Sequence, residues 1–100
     1  MEVVIQYVKG CPHFGETYQM VSDILESSET HGVLRTTLIS SIPQAEELIF
    51  VGSPTLLIDG VDPFADKSSP VGLACRIYGS GAGRSGTPPR DQVEAALLNS

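Results

Sequence analysis

Val3, Val4, Ile5, Tyr7 and Val8 make a nearly continuous apolar run rich in β-branched and aromatic side chains. That is how a strand covered on both faces reads, and it predicts a central first strand. From Pro12 the period changes, because Phe14, Tyr18, Val21 and Leu25 fall four, three and four apart, the spacing of one helical face. Pro12 suits a first helical position and Gly32 a stop, so a first helix is predicted over residues 12–29. Val33 to Ser40 returns to β-favouring residues as a second strand. Ser41, Pro43 and Gln44 then read as a helix start ahead of Ala45, Leu48 and Ile49, with the helix ending near Gly52.

Thr55 to Ile58, closed by Asp59-Gly60, predicts a third strand. Leu73 to Tyr78 predicts a fourth after a loop containing Pro63 and Pro70, and the two could pair as an antiparallel hairpin. Gly79 to Gly86 is a Gly/Ser-rich tract. Beyond it, Thr87 can cap a last helix that begins with Pro88 and Pro89 and carries Val93, Ala96 and Leu97 on one face. No internal repeat is visible. The order is β-α-β-α-β-β-α, with the first crossover forcing strands one and two to be parallel. It predicts an α/β fold with a mixed four-stranded sheet flanked by helices, in one domain spanning residues 1–100.

Composition narrows the function classes. With 100 residues and 41% hydrophobic content there is material for one modest core. A formal charge of −6 and six scattered basic residues argue against nucleic acid as a partner. No apolar run approaches the ~20 residues of a membrane helix, and the opening residues carry no signal-peptide pattern, so the expectation is a cytoplasmic protein without a membrane partner. Cys11 and Cys75 are too few and too far apart for a secreted disulfide framework, and a reducing compartment would keep both as thiols.

Two local motifs carry candidate chemistry. Cys11-Pro12-His13-Phe14 stands where a strand hands over to a helix and resembles the active-site tetrapeptide of thioredoxin-like proteins at its usual location. Gly52-Ser53-Pro54-Thr55 resembles that family's cis-proline loop, which implies a cis Ser53-Pro54 bond and a proline facing the thiol. Together with the element order, the resemblance to the thioredoxin-like superfamily covers nearly the whole chain, apart from residues 60–72 and 79–86. The positive end of a helix stabilises a thiolate, the reactive form of cysteine, so Cys11 is expected to be a nucleophile. His13 would add a donor or a positive charge beside the sulfur, and Cys-Pro-His also opens the motif of strongly oxidising thioredoxin relatives.

Phe14 occupies the place of the second cysteine of dithiol family members, which excludes a dithiol cycle within this motif. What remains is monothiol, glutaredoxin-like chemistry: Cys11 attacks a disulfide or oxidant and an external thiol, glutathione being a candidate co-substrate, releases it. Lys9 would help hold an anionic thiol substrate, with Pro12, Ser53, Pro54 and Thr55 as docking residues. Protein or low-molecular-weight thiols and disulfides are the expected partners, and no resident cofactor or metal is expected.

Other readings of the same residues stay open. Cys75 is a candidate second thiol, but in Leu73-Ala74-Cys75-Arg76-Ile77 it equally reads as a small core hydrophobe. Cys11 itself could be an inert residue on a retired redox fold that serves as a binding module for a protein or for a soft metal such as copper or mercury. A faint resemblance of residues 52–75 to small thioredoxin-like alkylmercury-lyase relatives points the same way. A zinc set of Cys11, His13, His31 and Cys75 lacks the tight pairing of structural zinc sites. His31 reads as a helix-end residue favourable to the dipole. Gly81 to Gly86 matches the dinucleotide-binding pattern literally, but that pattern needs a further strand and a later acidic residue, so a loop or a backbone cradle for a carboxylate is expected instead.

Overall fold

The computed structural model describes residues 1–27, 32–64, 72–73, 78–80 and 83–98. It is an α/β protein whose elements run β1 (Glu2–Tyr7), α1 (Phe14–Ser27), β2 (Val33–Leu38), α2 (Ile42–Leu48), β3 (Thr55–Ile58), β4 (Tyr78–Ser80), β5 (Gly83–Ser85) and α3 (Arg90–Leu98). β1 is the central strand of a mixed sheet in the order β2-β1-β3. It runs parallel to β2, with Glu2 beside Val33 and Tyr7 beside Leu38, and antiparallel to β3, with Val3 beside Ile58 and Gln6 beside Thr55.

Strand alternation divides the interior. Val3 and Ile5 point to one face, where Val21 and Ile24 of α1, Leu56 and Ile58 of β3, and Val93 and Leu97 of α3 complete the main core. Val8, two residues beyond Gln6 on the opposite alternation, packs against a smaller core of Ile39, Ala45 and Phe50. The helix α2 therefore belongs to the other side of the sheet.

The predicted face of α1 is rotated in the structure. Tyr18 is 41% exposed, and Thr17 is buried beside Val21 and Ile24 instead. A threonine can sit there because its hydroxyl donates to the His13 carbonyl at 2.9 Å, so no polar group is buried unpaired. In α2 the Ser41 cap is present as expected: its hydroxyl accepts from the Gln44 amide at 3.2 Å, and the Gln44 side chain reaches back to the Ser40 amide at 2.9 Å.

α2 stops at Leu48, earlier than the sequence suggests, because the chain closes in a Schellman motif. The Phe50 amide donates to the Ala45 carbonyl at 2.8 Å and the Ile49 amide to the Glu46 carbonyl at 3.3 Å. Ile49 occupies the left-handed position at φ 54°, which normally belongs to glycine, and its side chain is 72% exposed. Ile49→Gly is therefore expected to raise stability by about 0.5–1 kcal/mol, the relief of a left-handed β-branched residue less glycine's extra chain entropy. A urea melt checks the gain.

The sheet has three strands among the described residues, not the four expected. Asp59 and Gly60, at φ 49° and 83°, do turn the chain back after β3, but only Ile58 and Val61 pair before Pro63 intervenes. A proline cannot donate to a ladder, which ends the pairing there. Of the predicted fourth strand, residues 74–77 lie outside those described, Leu73 packs against the smaller core, and Tyr78 opens β4. β4 pairs with β5 as a separate antiparallel ribbon inside the Gly/Ser-rich tract. α3 begins at Arg90, its first helical bond running from the Val93 amide to the Pro89 carbonyl at 3.0 Å. Pro89 keeps Pro88 out of the α conformation, so the helix starts later than Thr87 would suggest. Among the described residues no helix is long and apolar enough to cross a membrane.

Candidate thiol site

Between β1 and α1 the chain makes two consecutive turns around Cys11. The Cys11 amide donates to the Val8 carbonyl at 3.2 Å, with Gly10 at φ 78° in the third turn position, a conformation that glycine adopts without steric cost. The Phe14 amide then donates to the Cys11 carbonyl at 3.4 Å. The first helical acceptor is the carbonyl of His13, which takes the Thr17 amide at 3.1 Å. His13 is thus the N-cap of α1, and Cys11 stands two residues ahead of it, outside the first helical turn where Pro12 was expected. Cys11 is half-buried, while Lys9 and Pro12 are exposed on either side of it.

Phe14 is fixed in place. Its ring stacks on Tyr7 with centroids 3.9 Å apart and planes 21° apart, and it packs against the main core. The Tyr18 ring is tilted 49° to that of Phe14, with centroids 6.0 Å apart.

The Gly52–Thr55 loop lies beside this turn. Extending the β1–β3 register two residues past Gln6 and Thr55 sets Val8 opposite Ser53, and there the Val8 amide donates to the Ser53 hydroxyl at 3.1 Å. The Ser53-Pro54 peptide is cis, as the resemblance implies. Ser53, Pro54 and Thr55 are all buried. The Thr55 hydroxyl donates to the Gly52 carbonyl at 2.5 Å, and the buried Tyr78 hydroxyl donates to the Pro54 carbonyl. Tyr78 in turn stands edge-on to Phe64, centroids 5.2 Å apart.

Of the sequence-derived set, Lys9, Cys11, Pro12 and His13 lie on consecutive turns, and Ser53 of the proline loop joins them through the Val8 amide. Thr55 braces the loop itself at Gly52. Cys75 and His31 lie outside the described residues. Tyr78, which holds the Pro54 carbonyl, was not foreseen; its partner lies 24 positions away in sequence and leaves no local pattern. Ser53→Ala is expected to cost about 1–3 kcal/mol, because the Val8 amide loses its acceptor in a partly buried place. Thermal unfolding measures the loss, and hydrogen exchange at Val8 locates it.

Compared with known proteins, no family model matches the chain, and no curated protein or solved structure matches it either.

Proposed function

We propose that this chain is a small thioredoxin-like protein that exchanges or binds thiols through the single thiol of Cys11. The observation that carries the reading is the hydrogen bond from the Val8 amide to the Ser53 hydroxyl, which ties the cysteine turn to the proline loop. A cysteine between the first strand and first helix, together with a cis-proline just ahead of the third strand, is the pairing that the resemblance implies. The parallel β1–β2 pair and the antiparallel β1–β3 pair are compatible with it.

In this reading the Cys11 thiolate attacks one sulfur of a disulfide. A Cys11–sulfur bond forms, the original S–S bond breaks, and the other sulfur leaves as a thiolate that takes up a proton from water. A second, external thiolate then attacks the sulfur attached to Cys11, forming a new disulfide and returning Cys11 as thiolate. The external thiol is needed because Phe14 supplies no resolving group. A low-molecular-weight thiol such as glutathione, abundant in a reducing compartment, fits that part. Lys9 and Pro12, exposed beside the sulfur, are the substrate contacts, and Lys9 favours an anionic partner.

The test is alkylation of Cys11 by iodoacetamide at mildly acidic pH, read by mass spectrometry with Cys11→Ser as control and Cys75 as internal comparison. Cys11 is expected to react about ten-fold faster than free glutathione under the same conditions. A rate equal to or below that of glutathione would overturn the reading in favour of a fold that uses this surface for binding alone.

A further inference from the structure

The side chain and backbone of His13 are held from two different parts of the chain. Its carbonyl accepts from both the amide and the hydroxyl of Thr17, at 3.1 and 2.9 Å, which fixes the backbone. Its imidazole lies with the Cδ2–Nε2 edge against Gly86. A β-carbon built on Gly86 would run into Cδ2, Nε2 and Cγ of the ring, so only glycine fits while the ring stays in place. The φ of Gly86 is outside the left-handed region, so the requirement for glycine comes from the ring and not from the backbone.

The next residue anchors this contact. The Thr87 hydroxyl donates to Glu16 Oε2 at 2.9 Å across 71 positions of sequence, and Glu16 stands in the first turn of α1. Pro88 is buried immediately after, and α3 carries Val93 and Leu97 into the main core. The stretch from Gly86 to Pro88 is therefore fastened to the N-terminal turn of α1 on one side and to the core on the other.

We propose that Gly86 is a positioning residue for the thiol site: it sets where the His13 imidazole sits and, through His13, how fast Cys11 reacts. The Thr87–Glu16 hydrogen bond keeps Gly86 against the ring. The inference rests on the reading of Cys11 as a reactive thiol tuned by His13. It gives the end of the Gly/Ser-rich tract a role that needs no nucleotide: its last glycine leaves room for the ring where a β-carbon would not.

The test compares wild type, Gly86→Ala, His13→Ala and the double variant, with the His13 ring resonances identified by their loss in His13→Ala. Gly86→Ala is expected to shift those resonances and to change the Cys11 alkylation rate by about three-fold or more. In the His13→Ala background the same substitution is expected to change the rate by less than about 1.5-fold, since coupling vanishes when the intermediary is gone. Thr87→Val, which removes only the hydroxyl, is expected to act in the same direction more weakly, and it replaces Gly86→Ala if that variant does not fold. Unmoved ring resonances, or an equal rate change with and without His13, overturn the proposal. If His13→Ala alters the Cys11 rate and Gly86→Ala does not, the positioning role alone falls. If His13→Ala leaves the rate at the wild-type value, the tuning role of His13 in the thiol reading fails, and this proposal fails with it.

Discussion

Phe50→Ala is expected to lower the free energy of unfolding by about 3–5 kcal/mol, with a fall in melting temperature of at least about 12 °C. Phe50 is fully buried and, among the described residues, is the largest side chain of the smaller core, which it shares with Ile39 and Ala45, with Val8 and Leu73 at its margin. A packed core relaxes only partly over a space the size of a phenyl ring, so the cavity cost adds to the lost burial. Against a typical total of about 5–15 kcal/mol for a domain, the loss is large. The backbone of Phe50 joins three segments: its amide caps α2 at Ala45, its carbonyl accepts the Gly72 amide at 3.1 Å, and the chain runs on into the Gly52–Thr55 loop. The damage should therefore spread to the Cys11 turn through Val8, and faster hydrogen exchange there would show it. A loss below about 1 kcal/mol would mean that α2 and the proline loop are held by the main core alone.

The elements that were legible in the sequence are those whose signal is local. Ser41 followed by Gln44 marks a helix start by hydrogen-bond chemistry that does not depend on what packs nearby, and it is present. The β-branched run from Val3 to Val8 marks a strand with neighbours on both edges, and β1 has them. The elements that were missed depend on distant partners. Three-residue strands in a glycine-rich tract have no apolar alternation to read, so β4 and β5 appear only once they pair. Thr17 outranks Tyr18 for the interior because a carbonyl one turn back satisfies its hydroxyl, which no hydropathy pattern registers.

The same division runs through the candidate site. Cys11 and the Ser53-Pro54 loop were visible as short motifs, but the sequence put the cysteine at the helix start, whereas His13 caps α1 and Cys11 precedes it by two residues. The order of burial around them was not visible. Ser53 and Thr55 are buried and their hydroxyls bond to backbone groups, Ser53 to the Val8 amide of the turn and Thr55 to the Gly52 carbonyl of its own loop, which no short motif displays. The contact between His13 and Gly86 joins opposite ends of the chain and was beyond any motif.

Cys11→Ser is expected to abolish thiol-disulfide exchange, leaving turnover at the rate of the uncatalysed thiols, whereas Cys75→Ser is expected to keep it within about two-fold of wild type. Serine nearly matches the size of cysteine, but its hydroxyl does not ionise in this pH range, so the first step has no nucleophile. The contrast between the two variants follows from Phe14. Stacked on Tyr7 and packed against the core, it carries no thiol to attack the mixed disulfide. Release must then come from outside, so withholding glutathione should leave a mixed disulfide on Cys11 that mass spectrometry can isolate. Wild type and Cys75→Ser should accumulate it equally. Were the mixed disulfide to accumulate only in Cys75→Ser, with an internal bridge to Cys75 forming in the wild type, a two-thiol mechanism would replace the monothiol one.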